Sequence, residues 1–201
     1  MTIPRPESRY LNLVRTRKNH DFGCGFTPIC HSTSQDLIHW KKDPANPIMA
    51  ADYEHYIGLT KDPFVFWNEQ DQRYWMLIAD RLREAPTARK GALALAVSPD
   101  LEHWERREEP FWAPDSSTCE FECPELFEWN RRWYLTYSTF TGSTRSYYRL
   151  ANRVSGPWLA TSLDSFDDSY FYAAKTISNG KRRFAFASIP TGWKPIRADG
   201  T

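Results

Sequence analysis

Two acidic residues stand at the mouths of apolar, strand-forming runs, each just ahead of a proline: Asp62 in Thr60-Lys-Asp-Pro-Phe-Val-Phe66 and Glu122 in Phe121-Glu-Cys-Pro-Glu-Leu-Phe127. An unpaired carboxylate is costly to bury, so its place at a strand entrance needs a reason. The proline stiffens the approach and forces its predecessor into extended geometry, which aims whatever precedes it. If the two runs are equivalent strands of a repeat, both acids occupy the same place and converge on one pocket. Paired carboxylates at a shared mouth are what glycoside hydrolysis uses, one as proton donor and the other steadying an oxocarbenium-like centre. The competing reading makes both acids turn caps, and the register of the repeat is what favours a site.

Other chemistry is sparse. Cys24 and Cys30, and Cys119 and Cys123, miss the usual zinc spacings and are few for a disulfide scaffold, so free thiols are expected. His20, His31, His39, His55 and His103 show no ligand spacing, and His39 and His103 fall inside a repeated turn where a structural role is expected. With no glycine-rich phosphate loop and no Ser-His-Asp order, neither a metal nor another cofactor is expected.

The acids need strands to carry them, and the chain is rich in strand signals. Asp62 to Asp80, Cys123 to Thr139 and Tyr170 to Ser188 each pair two aromatic and β-branched runs across a short polar link, predicting three hairpins. Between them recurs a turn, Ser34-Gln-Asp-Leu-Ile-His-Trp40 and Ser98-Pro-Asp-Leu-Glu-His-Trp104, with a third, reduced copy in Ser155-Gly-Pro-Trp158. Such a Ser/Asp turn suits a strand end that drops its Trp ring onto the neighbouring sheet. Trp40, Trp104 and Trp158 recur at intervals of about 60 positions, the signature of propeller blades. A β-sandwich also alternates its strands but has no reason to repeat a Trp-terminated turn. The fold class is therefore all-β, of propeller type, incomplete here because the length covers about three to four blades, short of the four or more that close a ring. It is expected to form one partial domain over residues 1–201, without a second domain.

Bulk properties agree. The chain has 26 Lys plus Arg against 25 Asp plus Glu, interspersed, so nothing marks a nucleic-acid or membrane partner. No secretory h-region or apolar span is present in the 201 residues, and the cytoplasm is the default expectation. Aromatic residues make up 15%, which favours sheet and offers stacking surfaces for sugar rings.

These motifs resemble a known family. Lys61-Asp-Pro-Phe-Val-Phe-Trp67 resembles the Arg-Asp-Pro motif, and the Glu122-Cys-Pro segment the Glu-Cys-Pro motif, of glycoside hydrolase family 32, the invertase and fructan-hydrolase group. His31 to Trp40 is similar to its recurrent Ser-x-Asp-Leu-x-His-Trp segment, and Arg182 to Trp193 to its late strand before Gly-Trp, so the likeness runs from Tyr10 to Trp193. The resemblance implies a five-bladed propeller and retaining hydrolysis of β-fructofuranosyl or related furanoside bonds, with a carbohydrate as substrate. It makes Glu122 the general acid/base and Asp62 the acid that binds sugar hydroxyls and steadies the transition state. Lys61, Cys123 and Trp193 would line the substrate site, Lys61 as a point charge where the family usually has a bidentate Arg. It also implies an Asp nucleophile just before Ile3-Pro4, which this register puts at Met1 or upstream; Asp21 belongs to a later loop. The family's C-terminal sandwich is not expected within these residues. Tyr53, His55 and Tyr56 are expected to reach the pocket rim. Two alternatives stay open: a propeller that binds carbohydrate without cleaving it, and a family 43- or 62-like arabinosidase or xylosidase. Exposed blade edges predict pairing with another copy.

Overall fold

The structure, a computed structural model, describes residues 10–15, 28–57, 59–114, 118–141, 144–167 and 170–190. Among them the chain forms antiparallel strands and no α-helix, with one short 3-10 turn at Thr87–Arg89. The first sheet holds β1 (Tyr10–Arg15), β2 (Ile29–Ser34) and β3 (Lys41–Lys42). The second holds β4 (Lys61–Asn68), β5 (Arg73–Arg81), β6 (Gly91–Ser98) and β7 (Glu105–Arg106). The third holds β8 (Glu122–Trp129), β9 (Arg132–Thr139) and β10 (Arg145–Ala151), and the fourth β11 (Tyr172–Ser178) and β12 (Arg183–Ser188). The leading strands pack side by side, β4 beside β8 and β8 beside β11, as blades do around an axis.

All three expected hairpins are present, as β4–β5, β8–β9 and β11–β12. In the tightest, Asn130 and Arg131 link the pair Trp129 and Arg132 with φ of 51° and 61°, the left-handed pair that a two-residue turn needs to match strand twist.

The repeated turn is held by its own residues. Ser98 Oγ accepts from the Leu101 amide at 2.9 Å, and Asp100 Oδ1 from the amides of Glu102 and His103 at 2.9 and 2.8 Å. His103 Nδ1 lies 2.8 Å from Asp100 Oδ2, and the Trp104 indole donates to the Leu101 carbonyl at 3.0 Å. The same contacts recur at Ser34, Asp36, His39 and Trp40. His39 and His103 are thus structural. Trp104 packs on the core, whereas Trp40 stays exposed. The reduced copy is built differently, with Gly156 at φ 90° and Trp158 against Phe111 at 5.8 Å between ring centroids.

This turn joins β2 to β3 and β6 to β7, so the first three strands correspond to β5, β6 and β7. Among the described residues the first sheet has no strand where β4 stands in the second.

Strand alternation builds the packing. In Gly-Ala-Leu-Ala-Leu-Ala-Val of β6, Ala92, Ala94 and Ala96 face the first sheet with Met76, Ile78, Ile29 and Tyr56, while Leu93 faces the third with Leu77, Phe121, Leu126 and Leu135. β5 is buried on both faces, which is why its centre reads as an unbroken apolar run. Each fully buried Leu or Ile contributes about 1.5–3 kcal/mol. The third and fourth sheets meet through polar groups instead: Glu125 accepts from the amide and hydroxyl of Thr176, both at 2.8 Å. The outward face of the fourth sheet leaves Ile177, Phe184 and Phe186 exposed.

Candidate active site

The leading strands share one irregularity. In β4 the ladder pairs Lys61 with Ala79 and resumes at Phe64 with Leu77; in β8 it pairs Glu122 with Ser138 and resumes at Glu125 with Thr136. In β11 it pairs Tyr172 with Ser188 and resumes at Lys175 with Phe186. Each strand thus gains an extra residue in a bulge, where Asp62, Cys123 and Ala173 adopt φ of 50°, 50° and 57°.

This corrects the expected register. Asp62 and Glu122 do not occupy one repeat position: Asp62 corresponds to Cys123, and Glu122 to Lys61. The bulge and its following residue, Pro63, Pro124 or Ala174, define the correspondence, and the one-residue difference in acid-to-proline spacing is real. Asp62 still reaches the backbone next to Glu122, because the Cys123 amide donates to Asp62 Oδ2 at 3.0 Å.

Around them lies a compact charge network. Lys61, only 4% exposed, places its ammonium between Glu120 and Glu122 and bonds to both carboxylates. Arg81 bonds to the other oxygen of Glu120. Two cations thus face two anions, and the buried charges are mutually compensated. The Phe140 ring lies 5.7 Å from the Lys61 ammonium. The approach to Lys61 is fixed by buried Asp80, which accepts from the Leu59 amide at 3.0 Å, the Thr60 amide at 3.2 Å and the Thr60 hydroxyl at 3.0 Å. Burial pushes the Asp80 carboxyl above its ordinary range.

The Cys123 thiol lies 3.7 Å from Asp62 Oδ2. Burial, and then the Asp62 charge, push its pKa up to about 12, so it is a neutral neighbour and not a nucleophile at ordinary pH. The arrangement supplies two carboxylates, one oriented by a backbone amide and one held by an ammonium.

The model of the glycosyl hydrolases family 32 N-terminal domain matches residues 19–194. The chain belongs to this family. It is 29% identical over 150 residues to an insoluble isoenzyme of β-fructofuranosidase from Arabidopsis thaliana, covering 74% of this chain and 24% of that protein. Among solved structures it is similar to fructan 1-exohydrolase IIa from Cichorium intybus, with a TM-score of 0.70 and 17% identity over 90% of this chain and 38% of the other. The β-fructofuranosidase BmSUC1 of Bombyx mori gives a TM-score of 0.64 and 17% identity over 88% of this chain and 39% of the other. These two solved structures are five-bladed propellers, and the four sheets described here correspond to part of one.

Within this family 32 domain, sequence reasoning missed Glu120, Arg81 and Lys175. Glu120 lies two residues from Glu122, a spacing that could have found it, and is as buried as Lys61. Lys175 comes from the fourth sheet, and its ammonium donates to the carbonyls of Cys123 at 3.2 Å and Pro124 at 2.9 Å.

Tyr56 is not at the rim: it is fully buried in the core between the first two sheets, with the Arg106 guanidinium 5.3 Å from its ring. His55 is turned to Asp52, Nδ1 to Oδ2 at 3.1 Å. Trp193, Asp21 and the stretch before Ile3 lie outside the described residues. Cys30, Cys119 and Cys123 are free thiols.

Proposed function

We propose that this chain is the propeller portion of a glycoside hydrolase acting on β-fructofuranosyl linkages. The observation that carries the reading is the contact between the ends of β8 and β4, where the amide of Cys123, next to Glu122, donates to the Asp62 carboxylate. Glu122 gives a proton to the departing glycosidic oxygen, then takes one from the water that completes hydrolysis. Asp62 accepts from sugar hydroxyls through the oxygen that Cys123 leaves free. Retention also requires an attacking carboxylate, and no described residue is assigned that part. The reading is supported by relatives solved with such ligands, BmSUC1 with sucrose and the chicory exohydrolase with 1-kestose.

The test is release of fructose from sucrose and 1-kestose by the full polypeptide and by its Glu122→Gln variant. Loss of about 100-fold or more supports the assignment, in line with the size of general acid catalysis. Equal rates remove Glu122 from the mechanism.

A second reading, a propeller that binds sugar without cleaving it, is favoured by one contact. Glu122 faces the Lys61 ammonium, whereas a proton donor is better served by an apolar neighbour. Calorimetric binding of 1-kestose with no turnover over days supports it.

We also propose self-association of this chain through exposed blade edges, motivated by β12, which pairs with β11 alone among the described residues. A monomer at all concentrations in sedimentation overturns that.

A further inference from the structure

The bulge of β8 takes Cys123 and Pro124 out of the ladder with β9, because pairing stops at Glu122 and resumes at Glu125. Their backbone groups must then find partners elsewhere. Pro124 has no amide. The Cys123 amide goes to Asp62 on the second sheet at 3.0 Å. The carbonyls of Cys123 and Pro124 both go to the Lys175 ammonium on the fourth sheet, at 3.2 and 2.9 Å.

Lys175 is itself placed by a grip in the opposite direction. Across the third sheet, Glu122 pairs with Ser138 and Ser138 with Ser146, and their hydroxyls are 2.9 Å apart. Ser138 Oγ accepts from the Ala173 amide at 2.9 Å, and Ser146 Oγ from the Ala174 amide at 3.1 Å. The bulge of β11 is thus seated on the row that begins at Glu122, and the next residue, Lys175, reaches back over the Phe64 ring at 5.5 Å. Phe64, Glu125 and Lys175 are the corresponding first paired residues after the three bulges.

We propose that Lys175 is a positioning residue for the carboxyl-bearing bulge of β8, fixing Glu122 and the Cys123 amide from the fourth sheet while Asp62 fixes them from the second. It touches no reacting atom. The role in hydrolysis rests on the reading of Glu122 above; the geometric role does not. An ammonium suits the task because it can serve two carbonyls at once, which an apolar isostere such as Met cannot.

The test is residue-resolved amide exchange by NMR on Lys175→Met, Lys175→Arg and Lys175→Gln. Exchange at Cys123 is expected to quicken about tenfold in Lys175→Met, with Met76 and Leu93 unchanged, and to return to near wild type in Lys175→Arg. Unchanged protection at Cys123 overturns the proposal. So does loss of protection at Cys123, Met76 and Leu93 together, or failure of both Lys175→Met and Lys175→Gln to fold, either of which makes Lys175 a general strut. On a substrate whose cleavage depends on Glu122, Lys175→Met is expected to lower kcat about tenfold with KM nearly unchanged; a raised KM at constant kcat overturns the positioning role. If Glu122→Gln has no effect, the hydrolase reading fails and the exchange result stands by itself.

Discussion

The backbone amide of Cys123 donates to the carboxylate of Asp62 at 3.0 Å, joining two residues that correspond in successive sheets and share the same left-handed backbone, φ 50° in each. The contact ties the second sheet to the third at the point where the acids gather. It also explains why Asp stands there: its short acceptor reaches the next bulge, and Asp tolerates positive φ better than most residues.

Asp62→Asn keeps both the acceptor and the backbone preference, whereas Asp62→Val loses both. Urea unfolding is expected to place Asp62→Asn within about 1 kcal/mol of wild type and Asp62→Val lower by about 2 kcal/mol or more. Equal stabilities would show that neither the left-handed backbone nor the contact matters.

The buried thiol of Cys123 gives a pH dependence. Its folded pKa is about 12, while an unfolded thiol ionises near 8.5. The raised folded value means that its stabilisation is fully present below about pH 8.5 and is lost progressively as pH rises toward the folded pKa. The urea midpoint should therefore fall between pH 8 and pH 10.5, and fall less in Cys123→Ala. Alkylation of Cys123 in the folded protein at pH 8 should be slow, and faster in Asp62→Asn, where one of the charges that oppose the thiolate is gone.

Lys61 compensates two carboxylates in a nearly dry setting. Lys61→Met is expected to cost about 3 kcal/mol, as removal of one partner strands buried charge, while Lys61→Arg should retain most of the stability. Thermal unfolding distinguishes them, and a Met variant as stable as wild type would mean that Glu120 and Glu122 are solvated.

Gly91 opens β6 directly beneath the Glu120 segment. A Cβ there would lie 2.9 Å from the Thr118 carbonyl oxygen and 3.2 Å from the Glu120 amide, backbone atoms that cannot swing aside. Gly91→Ala is expected to destabilise by about 1–3 kcal/mol, read from denaturant unfolding.

The hairpins and the Ser-x-Asp-Leu-x-His-Trp turn were legible because each rests on contacts within a few residues or on a period of two. The site was legible only in part. Asp62, Lys61, Glu122 and Cys123 stand out by their motifs, but their mutual register is set by bulges, and a bulge leaves no signature in residue spacing beyond a shifted proline. Arg81 and Lys175 were hidden for another reason: their partners Glu120 and Cys123 lie 39 and 52 positions away, and only the side-by-side packing of sheets brings them together. Tyr56 misled because a tyrosine on a loop resembles a rim residue until the core that receives it is known.

The three bulges have a consequence for how this scaffold can change. Asp62, Cys123 and Ala173 occupy one backbone socket in three successive sheets, yet one supplies charge, one a neutral thiol and one nothing but a methyl group. Because the offset belongs to the main chain, exchanging the side chain in a socket alters what faces the mouth without moving the strands that carry it. Such a scaffold can acquire or shed an acid by single substitutions, and the chemistry at its mouth can diverge faster than its architecture.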